Sequence, residues 1–329
     1  MGAEIGRRSQ VAIGREETSY GTLSASLLGL PFTDLTVNET KKTVPNNQAY
    51  GRIEKNSEGS KIGSQEAEVV MSGVVSVVAI GYFLKAIFGT MTTADDTPVA
   101  NSDTHTFIVD NDSNEHPSYS IVYKDGIQQL AVLGARLNSF TINIVAGEWA
   151  TFEANFIGKF PVTNASSITY TDEEKFTAAM ASLKMGANIA GLGAAIPVVE
   201  GSIIFEKNTK PQPVWGSVDL LKTINEAFDV RAEITKLWED TTQRALFTGH
   251  TVQALQVKIT TDVFVTGSTP YDLEINIRNG KVTEHAIDRG LDNVMEESFT
   301  LMGEYDFSEA SMVDAVLING TDGSVYGVG

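Results

Sequence analysis

Cysteine is absent from the 329 residues, which excludes disulfides, a thiolate metal site and a cysteine nucleophile. Folding in the cytoplasm fits that absence, and stability must come from packing or assembly. Positive charge is scarce. The chain has 24 lysines and arginines against 42 acids, a formal charge of -18. That balance argues against a protein built to grip nucleic acid or an anionic membrane, though not against one that lets nucleic acid pass. A run of apolar residues long enough to cross a bilayer is also missing. Val69 to Leu84, VVMSGVVSVVAIGYFL, falls short of the roughly 20 residues required and is split by Gly73, Ser76 and Gly81. It predicts a buried strand followed by a short helix, with no membrane insertion. The amino terminus, MGAEIGRRSQVAIGREE, lacks the apolar core of a secretory signal, so no export is expected.

Catalytic signatures are equally sparse. His105, His116, His250 and His285 are scattered, and no serine sits in a Gly-x-Ser-x-Gly elbow. The paired acids Glu239-Asp240 and Glu296-Glu297 read as a solvated rim, because neighbours along a strand point to opposite faces. Asp103, His105, Asp110, Asp112, Glu115 and His116 offer hard ligands that could hold Ca²⁺ but lack the EF-hand spacing, and they read as a solvated polar loop. The glycines Gly186, Gly191 and Gly193 follow a predicted helix and precede a strand, the reverse of the order that aims a helix at phosphate. They read as a flexible connector. Neither an enzyme, a metal site nor a cofactor is expected.

What the chain does have is period-two alternation. With 42% hydrophobic and 20% charged residues it is a folding chain, long enough for a large core. From Gly134 to Pro161, Phe140, Ile142 and Ile144 alternate with Ser139, Thr141 and Asn143. Ala150, Phe152, Ala154 and Phe156 then alternate with Thr151, Glu153 and Asn155. Ala146-Gly147-Glu148 links the two runs with a glycine where a tight turn needs positive φ. This predicts a long two-faced hairpin, apolar on one side and polar on the other, with arms of roughly 30 Å.

The remaining chain predicts strands at Val69–Val78, Thr106–Val109, Ser118–Tyr123, Ile127–Leu133, Val198–Glu206, Gly216–Leu221, Phe228–Ile234, Thr251–Thr260, Tyr271–Ile277 and Ser298–Asp306. Asn279-Gly280 reads as a hairpin turn. Short helices are expected at Gly81–Gly89, at Thr171–Lys184, where Thr171 and Glu174 have capping-box spacing, and at Trp238–Phe247. Residues 33–68, with Pro45-Asn46-Asn47, Asn56, Gly59 and Gly63, read as an extended polar loop or arm. Together these predict one mainly β unit, an antiparallel sandwich or barrel with a long hairpin and two or three flanking helices. The two halves share their strand-rich character without a residue-for-residue repeat, which leaves open a second β subdomain from about residue 196.

Three blocks in order, IGREETSYGT from Ile13 to Thr22, Val69 to Gly89, and the Gly134 to Gly158 hairpin, resemble a tailed-bacteriophage major tail tube protein of siphophage type. The resemblance implies a structural virion protein, assembled in the host cytoplasm, whose copies form stacked six-fold or pseudo-six-fold rings with an inner β-barrel. It implies tape-measure and tail terminator or tip proteins as partners, and DNA passing during ejection without sticking. On that reading Ser139, Thr141, Asn143, Thr151, Glu153 and Asn155 face the lumen, and Phe140, Ile142, Ile144, Phe152 and Phe156 face the core. Ring closure would pair the hairpin's open edges, and the 33–68 arm would reach the next ring. The alternative from the residues alone is a monomeric β-sandwich that binds carbohydrate or a surface receptor through Trp149, Trp215 and Trp238.

Overall fold

The computed structural model describes residues 5–327 apart from 18, 46–47, 49–50, 52, 55–59, 96–101 and 292–293. Its first half comprises β1 (Gln10–Arg15), β2 (Leu28–Gly29), β3 (Asp34–Val44), β4 (Lys61–Val74), α1 (Ala79–Phe88), β5 (Gly89–Asp95), β6 (Asp103–Val109), β7 (Tyr119–Lys124), β8 (Gln129–Val145) and β9 (Thr151–Gly158). The second comprises β10 (Val162–Thr163), β11 (Ala181–Gly186), β12 (Leu192–Ile196), β13 (Val198–Glu206), β14 (Thr209–Gln212), β15 (Lys222–Asn225), β16 (Asp229–Leu237), α2 (Thr242–Gly249), β17 (Val252–Thr266), β18 (Thr269–Asp288), β19 (Glu296–Gly303), β20 (Val313–Asn319) and α3 (Gly323–Tyr326). This is the expected mainly β, antiparallel chain with short flanking helices.

Two sheets share one strand. The first orders β3-β4-β9-β8-β13-β16-β19-β18. The second orders β12-β11-β17-β18-β20-β6-β5. Residues Asp272–Ile277 of β18 lie between β17 and β20, and Gly280–Asp288 run on to pair β19 in the other sheet. The start of β8 pairs β7 and β10, and β7 pairs β1, which adds a small flanking patch. All ten residues of α1 are buried in the core, where Phe83 and Phe88 meet aromatic side chains from β8, β9 and β13.

Several expectations need correction. Thr171–Lys184 is not a helix: a short 3-10 turn at Ala178–Met180 leads into β11, and one of the acids meant to start a helix here, Glu173, serves another one. Glu173 accepts hydrogen bonds from the backbone of Val78 and Ala79 at the start of α1. No turn occurs at Asn279-Gly280, because β18 runs through it. A Cβ on Gly280 would lie 2.6 Å from Leu301 Cδ2 and 2.8 Å from the Met302 carbonyl oxygen, so the glycine permits close backbone approach.

Gly216–Leu221 is an irregular loop with one bridge, from Asp219 to Gln65 of β4, and the strand expected there begins at Lys222, paired with β14. The Gly186–Ala195 connector is instead a hairpin between β11 and β12. The helix expected from Trp238 begins at Thr242, whose N–H is capped by the Asp240 carboxylate at 2.7 Å. Most of 33–68 is not loop but the β3–β4 pairing from Asp34↔Ser72 to Val44↔Lys61. Asn46, Asn47, Asn56 and Gly59 lie outside the described residues.

Candidate assembly surface

The Gly134–Pro161 stretch forms the anticipated hairpin, with Phe140 opposite Ala154 and Ile142 opposite Phe152. Gly147 turns it at φ +85°, with open space around the position a Cβ would occupy. Phe140, Ile142, Phe152 and Phe156 are buried, and Ile144 is half-buried against the same core. The Phe83 ring of α1 lies 5.4, 4.7 and 6.2 Å from the rings of Phe140, Phe152 and Phe156. Burying each of these phenylalanines contributes up to about 3 kcal/mol, which fixes which side of the ribbon faces inward. On the other side Glu153 is exposed, and Ser139, Thr141, Asn143, Thr151 and Asn155 are half-buried.

The edges of this hairpin differ from expectation. β4 pairs β9 from Ala67↔Gly158 to Val74↔Thr151, and β13 pairs β8 from Glu200↔Val145 to Glu206↔Ser139. Both edges are therefore filled by the chain itself. The open edges lie at the ends of the eight-stranded sheet: among the described residues β3 pairs only β4, and beyond Lys281 β18 pairs only β19.

Directly paired residues share a face, so the polar side of the hairpin continues across the whole sheet. It gathers Asp34, Thr36 and Asn38 on β3, Glu68 and Ser72 on β4, and Ser202 and Glu206 on β13. Farther along come Arg231 and Glu233 on β16, Ser298 and Thr300 on β19, and Glu284 and Asp288 on β18, interspersed with Val70, Ile204 and Met302. Side chains bond along this face: Asn155 donates to Glu68 at 2.7 Å and Ser202 to Asn143 at 2.7 Å. The cations on this face stand beside acids: Arg231 pairs with both Glu206 and Glu233 at 2.9 and 3.1 Å, Lys281 with Glu304 at 2.8 Å and Lys42 with Glu66 at 3.1 Å.

Other charged groups lie where the sequence reading did not place them. Glu297, expected on a solvated rim, has no exposed surface. Lys236 Nζ sits 3.0 Å from its Oε1, close enough for an ion pair though not aligned as a hydrogen bond, and His285 Nε2 is 3.0 Å from Oε2. Parity could have found this group, because Lys236 continues the buried series Val230, Ala232, Ile234, and Glu297 begins the series Phe299, Leu301. Its partner in the other pair, Glu239-Asp240, is exposed at both positions.

Glu16, in the IGREETSYGT block, accepts from Gly21 and Gly134 N–H and from the Ser118 and Ser120 hydroxyls at 2.6–3.1 Å. It ties the amino-terminal strand to the start of the hairpin. Lys207 is buried and donates to the Ala86 carbonyl at 2.7 Å, and burial together with nearby Arg136 holds its ammonium well below the usual lysine range.

The six candidate calcium ligands do not converge. His105 is buried between Thr93 and Asn319, and burial lowers its pKa. His116 is buried with its ring nitrogens 3.2 and 3.1 Å from the Ile87 and Asp110 carbonyl oxygens, and burial followed by Lys207 lowers its pKa to about 4. Glu115 pairs with Arg136 and Lys222. Among the described residues no three His, Asp or Glu side chains are grouped as metal ligands. The tryptophans occupy separate elements: Trp149 half-exposed in the hairpin turn, Trp215 fully exposed between β14 and β15, and Trp238 edge-on to His285. No described helix is long and apolar enough to cross a membrane.

No curated protein matches the chain. The family model described as "Phage tail tube protein" matches residues 6–303, which take in the eight-stranded sheet with the hairpin and its polar face and every strand of the second sheet except β20, and the chain therefore belongs to the phage tail tube protein family, as a structural component of a phage tail.

Proposed function

We propose that copies of this protein stack as rings into the tail tube of a siphophage-type virion and leave a bore through which genome DNA is ejected. The observation that carries the reading is the polar, acid-rich face shared by eight antiparallel strands, with Ser139, Thr141, Asn143, Thr151, Glu153 and Asn155 at its middle. This face lines the bore. A wall that paired with phosphates would release counterions and hold DNA in place, whereas a face of hydroxyls, amides and carboxylates whose cations are already paired with acids attracts a phosphate backbone little. The protein is non-enzymatic and works without a cofactor. It assembles in the host cytoplasm together with tape-measure and tail terminator or tip proteins, and the β3–β4 arm reaches the next ring.

Negative-stain microscopy of concentrated full-length protein, alone and with tail-initiation partners, tests this directly. Rings or tubes with a central hole are expected. Protein that stays monomeric in every condition would overturn the reading and favour a monomeric carbohydrate- or receptor-binding module.

A further inference from the structure

The pairing registers hold a repeat that the side chains conceal. In the first half β3 pairs β4, β4 pairs β9, and β9 pairs β8. In the second half β13 pairs β16, β16 pairs β19, and β19 pairs β18, the same order with every neighbour antiparallel. The second strand of each set leads to a helix at the same spacing: Ser72 stands to Ala79, the first residue of α1, as Thr235 stands to Thr242, the first of α2. Each hairpin also slips register at one matching point, between Leu137 and Ser139 on β8 and between Val282 and Glu284 on β18. Matched residues are seldom identical. Ile142 answers to Ile287 and Gly158 to Gly303, but the buried Phe140 and Phe152 answer to His285 and Glu297.

Within one chain the halves join edge to edge, the last strand of the first sheet unit, β8, against the first strand of the second, β13. Ile142 faces Ile203, Thr141 faces Ile204 and Asn143 faces Ser202. The repeat leaves two edges that correspond to this junction and are unpaired among the described residues: the end of β18, which matches β8, and β3, which matches β13. We propose that a second copy of this chain docks its β3 antiparallel against the end of β18, in the register of the β8–β13 junction. That register sets the partner's Val37 opposite Ile287, the partner's Asn38 opposite Ala286 and the partner's Thr36 opposite Asp288. Val37 and Ile287 are each half-buried on the core side of their strands, so their pairing extends the apolar layer across the seam. The eleven residues of β3 carry no proline and, among the described residues, pair a strand on one side only, an aggregation hazard that a second copy removes. The inference rests on the tube assembly proposed above and specifies its subunit contact.

The absence of native cysteine makes the register testable in the full-length protein. Directly opposed strand residues have Cα atoms about 4.5–5.5 Å apart, within disulfide reach, while pairs two residues out of register are about 7–8 Å apart. Protein carrying both Asn38→Cys and Ala286→Cys, assembled and then oxidised, should run as a ladder of covalent multimers that collapses on reduction. Asn38→Cys with Asp288→Cys should give little of it. If the double variant does not assemble, the two single variants mixed with each other should give a covalent dimer and nothing larger. Tubes that form without the in-register cross-link overturn this docking and leave the tube intact. Equal ladders from both pairs overturn the register. Monomers with no tubes at all overturn the tube reading, and the docking with it.

Discussion

Glu173 Oε2 lies 3.1 Å from the backbone nitrogen of Ala79, so a carboxylate from a distant loop caps the amino end of the buried helix α1. It also takes the N–H of Val78 at 3.1 Å. Helix starts leave N–H groups without intrahelical partners, and the helix dipole favours a negative charge there. Glu173→Ala should lower stability by about 1–2 kcal/mol, read as a fall in the denaturation midpoint. An unchanged midpoint would mean that water satisfies these donors equally well.

Phe156 is fully buried between Phe83 and Tyr119. Phe156→Asp would place an unpaired carboxylate there at a cost of several kcal/mol, a large share of the roughly 5–15 kcal/mol that keeps a domain folded. Expression should yield insoluble or unfolded chain. Soluble protein with a normal melting curve would refute the assignment of this face to the core.

The opposite face should tolerate charge. Thr151→Lys, Glu153→Lys and Asn155→Lys together should leave the melting temperature close to that of the unaltered protein and still allow tails to form. DNA ejection should slow, most at low salt, because each ammonium can pair with passing phosphates and salt weakens such pairs. Ejection at the normal rate in all salt concentrations would remove these residues from the bore.

The group formed by Lys236, Glu297 and His285 predicts a non-additive pair. Lys236→Met leaves Glu297 buried beside His285 alone and should cost about 3–5 kcal/mol, whereas adding Glu297→Leu should restore much of the loss. Urea midpoints of the two single variants and the double variant decide it. Simple additivity would show that the ion pair is energetically idle.

His116 gives the fold a pH dependence. Burial, and then Lys207, lower its pKa from 6.5 to about 4, although two carbonyl oxygens facing the ring offset part of that shift. The unfolded chain therefore binds a proton between those values that the folded chain refuses. This contribution is fully present above about pH 6.5 and is lost as pH falls towards 4, with a ceiling on the order of 3 kcal/mol. His116→Gln should flatten the stability curve in that window, and an unchanged curve would assign the acid loss to other groups.

Alternation was legible wherever one face of a strand is buried and the other is wet, as at Phe140, Ile142, Phe152 and Phe156, or along Phe228 to Ile234. It failed for the outer parts of β3, from Glu39 on, and of β4, up to Gly63, where both faces meet solvent and no period-two signal is written. Glu173 misled for a different reason: the acid and the helix it caps are far apart in sequence, so its local spacing suggested a helix of its own. Gly280 resembled a turn glycine because the close approach of Leu301 that requires it belongs to the fold alone. On its two central strands the polar face is written in the alternation of their residues. Its extent was hidden, because the pairing that extends it joins segments remote from one another.

One strand, β18, is held between β17 and β20 for part of its length and lines the polar sheet for the rest. The two layers are therefore not merely stacked but stitched through a continuous covalent thread. A sideways load on the polar sheet reaches the second sheet along backbone bonds, where many hydrogen bonds resist it in shear at once instead of unzipping one after another.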